Sequence, residues 1–391
     1  MEFHPTRRGR ERAPRRPPRR RQGGRRDDAH EPARRGQRRR PHRRGAQRAG
    51  RQREEQRADP DGHARAAYGA RQPRDGGSPS YDVAVSSPVL ESNGRAGASA
   101  PPACAWCQGP LDGAEHLSGR LRCPHCGADT TAPWPTDAEL DAAYGAWYRP
   151  PTGRFSGVGD VVLRRFRGRL AQRLDRIAPP GPMLDVGAGD GVLIDALRAR
   201  GRAAVGLERN PVRADLRAGD IASLEGPYAA IVFWHSLEHL RAPGEALRRA
   251  ADLLMPGGVL VVSLPNVESW QARAFGDRWF ALDLPRHLVH VPAPALIARI
   301  ESLGLRVQRT SHLRGGQVVF GWLHGLTGTL PGHPDLYAAI RRPEARDRPL
   351  SPERRATTLA AAATLFPVAA AAAGAEAAAG HGGTIYVEAR K

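Results

Sequence analysis

The stretch LDVGAGDG, Leu184–Gly191, sets three glycines directly after a short apolar run and directly before a helix-like segment. Few arrangements constrain a fold more. A strand must end, turn through backbone conformations most open to glycine, and enter a helix whose first N–H groups face outward. The surrounding pattern repeats the alternation. Met183–Val186 reads as a buried strand, Val192–Arg200 as a helix ended by Gly201, Ala203–Leu207 and Ala229–Trp234 as strands, Ala242–Leu254 as a helix, and Val259–Leu264 as a strand. Pro294–Leu303 follows as a helix, Leu305–Arg309 as a strand, and Thr384–Ala389 as the last strand. Strands alternating with helices predict a parallel, doubly wound α/β sheet. Ahead of it, Val162, Leu163, Phe166, Leu170, Leu174 and Ile177 recur at helical spacing, and Pro179–Pro180 close that lead-in helix.

The rhythm lapses between Thr310 and Thr384, where an apolar stretch, a charged turn and an alanine run predict a helical insertion over 311–383. It suits a substrate lid, a dimer face or a membrane-surface contact. The alanine run Thr358–Gly374 is interrupted by Pro367 and weakly apolar, which argues against a membrane span.

All four cysteines fall in one pattern, C-x2-C-x15-C-x2-C: Cys104, Cys107, Cys123 and Cys126. Two such turns can close a tetrahedral thiolate site around zinc, and four thiolates leave no open position, so the site is structural. Gly127 relieves the second turn, whereas Gln108 intervenes before Gly109 after the first. Two disulfides are the alternative. No secretory signal opens the chain, which favours reduced thiols and a cytoplasmic setting. A small zinc ribbon over 100–135 is expected, then a linker and lead-in helix over 136–180, then the sheet domain over 181–391.

Residues 1–80 carry 25 Arg against 10 Asp and Glu, so this segment supplies +15 of the chain's formal +20. It holds almost no large apolar residue and cannot offset its ordering entropy, so a disordered tail is expected over 1–99. Such an arm can hold nucleic acid through phosphates. However, Lys391 is the only lysine in the chain, a bias that points to coding composition, so nucleic acid is not the favoured partner.

The glycine loop has three candidate ligands. A triphosphate loop needs a lysine that is absent here, and a dinucleotide fingerprint needs a glycine where Val192 stands. Asp185, just before the glycines, suits the positive groups of S-adenosylmethionine better than a pyrophosphate. Glu208, ending the second strand, can accept ribose hydroxyls, and Asp220, beside Ile221, can accept the adenine amino group.

Together, D-x-G-x-G-x-G over Asp185, Gly187, Gly189 and Gly191 with these downstream acids resembles the class I S-adenosylmethionine-dependent methyltransferases. FWHSLEHL (Phe233–Leu240), LLMPGGVLVVSLPN (Leu253–Asn266) and LDLPRHLVHV (Leu282–Val291) extend the resemblance. It implies a Rossmann-like methyltransferase sheet, preceded by the ribbon and the tail, and an acceptor that is a small metabolite, sugar or lipid-linked glycan intermediate. An RNA base methyltransferase and a non-catalytic module of the same fold are the alternatives. The first lacks its [DN]-P-P-[YFW] motif, and the second is at odds with an intact loop and Glu208.

In a doubly wound sheet, ligands collect at the carboxyl ends of the strands. His235 follows the fourth strand there, and His287 and His290 follow the LDLP turn, making these three the candidate proton acceptors. His235, Glu238 and His239 also resemble the E-x-x-E-H divalent-metal motif of ubiquinone-pathway O-methyltransferases, with His235 replacing the first acid. Magnesium at this motif is the less favoured alternative, since that ion prefers hard oxygen ligands. Trp270, Trp279 and Phe280 are either an acceptor wall or core.

Overall fold

The computed structural model describes residues 101–391, apart from 146, 149, 151–152, 156–157 and 314–315. The expected disordered tail lies outside the described residues. In chain order come β1 (Glu115–Leu117), β2 (Arg120–Arg122), β3 (Asp129–Thr131), α1 (Asp137–Ala143), α2 (Val158–Ile177), β4 (Met183–Val186), α3 (Val192–Arg198), β5 (Ala204–Glu208), β6 (Arg217–Ala218) and β7 (Tyr228–Trp234). They are followed by α4 (Pro243–Leu253), β8 (Leu254–Pro265), α5 (Trp270–Phe275), β9 (Val289–His290), α6 (Ala293–Ser302), β10 (Arg306–Ser311), α7 (Gln317–Gly328), α8 (Leu336–Ile340), α9 (Pro352–Ala378) and β11 (Thr384–Arg390).

Seven strands form the main sheet in the order β10-β11-β8-β7-β4-β5-β6. β4 lies parallel between β5 and β7, so the strand order reverses there, which places a ligand crevice at its carboxyl end. The sheet is mixed rather than wholly parallel, because β11 runs antiparallel to both β8 and β10. The connection from β10 to β11 sets this direction. It leaves from the end of β10 and returns into β11 at the same edge, so the two strands close as an antiparallel pair with no crossover. The same geometry puts the insertion at the edge where β4, β5 and β7 end.

Period-two alternation splits the core. Leu184, Val186, Ile231, Phe233, Leu260 and Val262 face Leu247 of α4 and Leu296 and Ile300 of α6. Met183, Ala230, Val232, Val259 and Val261 face Leu170 and Leu174 of α2 and Leu193, Ile194 and Leu197 of α3. Burying each large aliphatic side chain contributes about 1.5–3 kcal/mol. α2 is also tied to β11 by Arg173, whose Nε and Nη2 donate to Glu388 at 3.0 and 2.7 Å.

The cysteine-bearing segment is not a separate bead. Cys104, Trp106 and Cys123 belong to the same apolar cluster as Leu184 and Ile300. β3 pairs antiparallel with β9 of the body, Asp129 opposite His290, completing a second sheet β1-β2-β3-β9. The expected linker holds a helix, α1, closed at its start by a reciprocal Thr136–Glu139 capping box.

The insertion is helical, as its composition predicts, but α9 runs through Pro367 without a break for 27 residues. Among the described residues it is the one helix long and apolar enough, by length and composition, to cross a membrane. One fully buried acid anchors it. Glu376 accepts Gln271 N at 2.8 Å, Gln271 Nε2 at 2.9 Å, Trp322 Nε1 at 2.9 Å and Gly383 N at 3.3 Å. These donors come from α5, α7 and the approach to β11, so four N–H groups offset the cost of burying the charge.

Candidate functional site

A cavity of about 300 Å³ opens at the carboxyl ends of β4 and β5. Val186 and Gly187 form its floor, Leu207 and Glu208 one side, and Asp220 and Ile221 the end of that side; Ser236, His235 and His239 come from the turn after β7. Gly187, Gly189 and Gly191 have φ of 80°, 65° and 77°. At Gly187 the space matters as much as the conformation: a Cβ there would stand 2.4 Å from Ser236 Cβ. Ser236 holds that approach by donating its hydroxyl to the Val186 carbonyl at 2.5 Å.

Glu208 turns back over the loop. Its Oε2 accepts Gly189 N at 2.7 Å and its Oε1 accepts Arg209 N at 3.1 Å, which sets the carboxylate at the cavity wall. Asp220 caps the short helical turn Ile221–Ser223 by accepting Ala222 N at 2.8 Å. Of the seven expected cofactor residues, Gly187, Glu208, Asp220 and Ile221 line the cavity. Asp185, 4% exposed, sits beneath the floor, and Gly189 and Gly191 shape the turn without lining it.

The histidines separate. His235 lines the cavity from a left-handed backbone, φ 52°, which a non-glycine residue adopts at a cost of about 1–3 kcal/mol. Its Nδ1 stands 3.3 Å from Glu238 Oε1 and its Nε2 3.4 Å from Ser263 Oγ. His287 and His290 do not line the cavity, contrary to the expectation that they share it. The LDLP turn packs inward, so their rings end on backbone carbonyls: His287 Nδ1 on Ala281 O at 2.8 Å, His290 Nε2 on Leu282 O at 2.9 Å. Burial holds His290 down at about 4 and pushes His287 well below the imidazole range.

Glu238 is 1% exposed, and His235 Nδ1 lies 3.3 Å from its Oε1. Burial pushes its carboxyl up, but His235 beside it, with His239 further off, more than offsets this and leaves it below the ordinary range. One ligand atom each from Glu238, His239 and His287 lie within 4.8 Å of one another. His239 Nδ1 meets Arg286 O at 2.9 Å, so both imidazoles are oriented from behind with Nε2 left for a ligand. One carboxylate and two nitrogens fit a transition metal; magnesium asks for oxygens, so its expected fit is poor.

The four cysteine sulfurs also converge, all within 4.8 Å, with Cys104–Cys126 at 3.6 Å and Cys107–Cys123 at 3.7 Å. Tetrahedral zinc thiolate bonds of about 2.3 Å would set neighbouring sulfurs about 3.8 Å apart. None of the four is in a disulfide. Both turns use left-handed residues, Gly127 at φ 71° and Gln108 at φ 61°.

Tyr144, Gly145 and Tyr148, which no motif in the sequence marks, complete the cavity from the segment after α1. The aromatic run AYGAWY was their available signal. Tyr144 Oη lies 2.9 Å from His239 Nδ1. Trp279 is core at 3% exposure, Trp270 is 38% exposed, and Phe280 packs against Phe320 and Tyr337 of the insertion.

Residues 162–310 match the family model described as a methyltransferase domain. The ubiquinone biosynthesis O-methyltransferase of Azorhizobium caulinodans is 28% identical over 178 residues, 38% of this chain and 70% of that protein. Its counterpart in Caulobacter vibrioides is 28% identical over 34% of this chain and 63% of its own length. A probable S-adenosylmethionine-dependent methyltransferase of Mycolicibacterium smegmatis is 27% identical over 39% of this chain and 59% of its length. The chain thus spans less than two thirds of the last two. Among solved structures, a SAM-dependent methyltransferase from Archaeoglobus fulgidus aligns at TM-score 0.36 and 17% identity, covering 60% of this chain and all of that one. The fold is a Rossmann-like sheet with a cavity at the carboxyl ends of β4 and β5. Residues 162–310 thus carry a methyltransferase domain, similar in sequence to S-adenosylmethionine-dependent methyltransferases.

Proposed function

We propose that the enzyme methylates a small metabolite, sugar or lipid-linked glycan intermediate in the cytoplasm, with His235 receiving the acceptor's proton. The observation that carries the reading is the cavity joining Gly187, Glu208 and Asp220 to His235. S-adenosylmethionine supplies an activated methyl group on a sulfonium sulfur. The residues do the rest. Glu208 and Asp220 present carboxylates to the ribose hydroxyls and adenine amino group, and the buried Asp185 adds negative charge beneath the cofactor's cationic end. His235 Nε2, 3.4 Å from Ser263 Oγ, would take the proton from an acceptor hydroxyl, and the cofactor held by Glu208 and Asp220 would supply the methyl group that the acceptor oxygen receives. Glu238, 3.3 Å from Nδ1, orients the ring and stabilises the imidazolium that results. The ubiquinone O-methyltransferase relatives support an oxygen acceptor.

We assign zinc to Cys104, Cys107, Cys123 and Cys126 as a structural ion. The test of the acceptor is methyl transfer from labelled cofactor into fractions of a bacterial lysate, read separately for metabolites, lipids and RNA. Label in metabolite or lipid fractions supports the reading; label confined to RNA overturns it.

A further inference from the structure

The cavity wall formed by Tyr144, Gly145 and Tyr148 is held from behind by two arginines of different origin. Arg286, from the turn before β9, has its guanidinium carbon 5.7 Å from the Trp147 ring centroid and 4.9 Å from that of Tyr148; it donates Nη1 to Ala143 O at 3.1 Å. Its charge is matched by Asp283. Arg341 comes from the insertion, directly after α8, and is 3% exposed. Its Nη2 donates to Trp147 O at 3.1 Å and Tyr148 O at 2.8 Å, and its guanidinium carbon lies 5.2 Å from the Trp147 ring and 5.0 Å from that of Tyr337.

No carboxylate lies within ion-pair distance of Arg341 among the described residues, and its buried Nε has no acceptor. A buried cation without an anion is costly, and an apolar side chain of similar length would fill the same volume at lower cost. What the guanidinium alone provides is a grip on two consecutive carbonyls with ring faces around it. The next residue extends the grip: Arg342 donates N to Arg154 O at 3.1 Å and Nε to Phe155 O at 2.7 Å, and Phe155 bridges Arg341 in antiparallel register.

We propose that Arg341 is a positioning residue for cofactor binding: the insertion completes the cofactor cavity by fixing Trp147 and Tyr148 through both their carbonyls and the Trp147 ring face. The proposal rests on the cofactor reading of the cavity. Its test uses the full chain, titrated with S-adenosylmethionine as wild type, Arg341→Met and Arg341→Lys, with the thermal midpoint of each. Arg341→Met weakens cofactor binding roughly tenfold, and Arg341→Lys recovers part of the loss. A purely structural role lowers the midpoint and leaves the affinity of the folded protein unchanged, which overturns the proposal. Should Arg341→Met not fold, Trp147→Ala removes the gripped ring while leaving the arginine; a similar weakening supports the proposal and unchanged affinity overturns it. Wild-type protein that does not bind overturns the cofactor reading and this proposal with it. Wild type and variants that bind equally overturn this proposal alone.

Discussion

The two walls of the cavity are built in opposite ways. One runs from Val186 to Ile221, within a single strand-helix-strand passage, and its shape follows from backbone: three left-handed glycines, a strand end carrying Glu208 and a capped turn carrying Asp220. The other consists of Tyr144, Gly145 and Tyr148, which owe their place to a guanidinium 193 positions away in sequence from the Tyr148 carbonyl it holds. The first wall is self-contained and carries the residues proposed to recognise the cofactor. The second depends on the fold being complete, and it joins the cavity to the insertion, where this chain departs from a minimal sheet.

That contrast can be broken from outside first. Cys123 is buried in the main apolar cluster, so losing its thiolate takes away the assigned zinc and loosens the support of β3 on β9 together. Cys123→Ser is expected to destabilise the chain by about 5 kcal/mol or more, read by urea unfolding, and to leave less than one zinc per chain by elemental analysis. Full zinc content in that variant would refute the ligand assignment.

Within the cavity, His235→Ala should separate chemistry from binding. Turnover is expected to fall about 10²–10⁴-fold while cofactor affinity stays within about threefold. An unchanged rate would return His235 to a packing role.

The smallest effect lies behind the walls. His290 has its folded pKa lowered to about 4 from an ordinary 6.5, so between those values the unfolded chain binds more protons. Its contribution is therefore complete above pH 6.5 and is lost as pH falls toward 4, by up to about 3 kcal/mol. His290→Phe should flatten that part of the stability profile, and a profile as steep as wild type would contradict the burial account.

Legibility followed the same division. Strands β4, β5, β7, β8, β10 and β11, helices α2, α3, α4 and α6, and the first wall could be read because their cause is local: apolar periodicity, glycines and acids at fixed offsets. The cysteine spacing likewise reported the convergence of four sulfurs. By contrast, β9 is two residues long and forms only because β3 lies beside it, so no periodicity announces it. His287 and His290 were expected in the cleft because they follow a turn near the right edge; the turn packs inward and their rings close on carbonyls. Pro367, read in the sequence as interrupting the alanine run, lies inside a continuous α9, which packs against α7 and is anchored at Glu376. Such outcomes depend on partners distant in sequence.

The central claim is that the Gly187 floor and the Glu208 wall hold S-adenosylmethionine. Calorimetric titration of the cofactor into wild type and Gly187→Val tests it most directly, since the added side chain meets Ser236 and the left-handed backbone disfavours it. Wild type should bind one cofactor per chain, with affinity lost by about a hundredfold or more in the variant. Equal binding by a folded Gly187→Val protein would contradict the account.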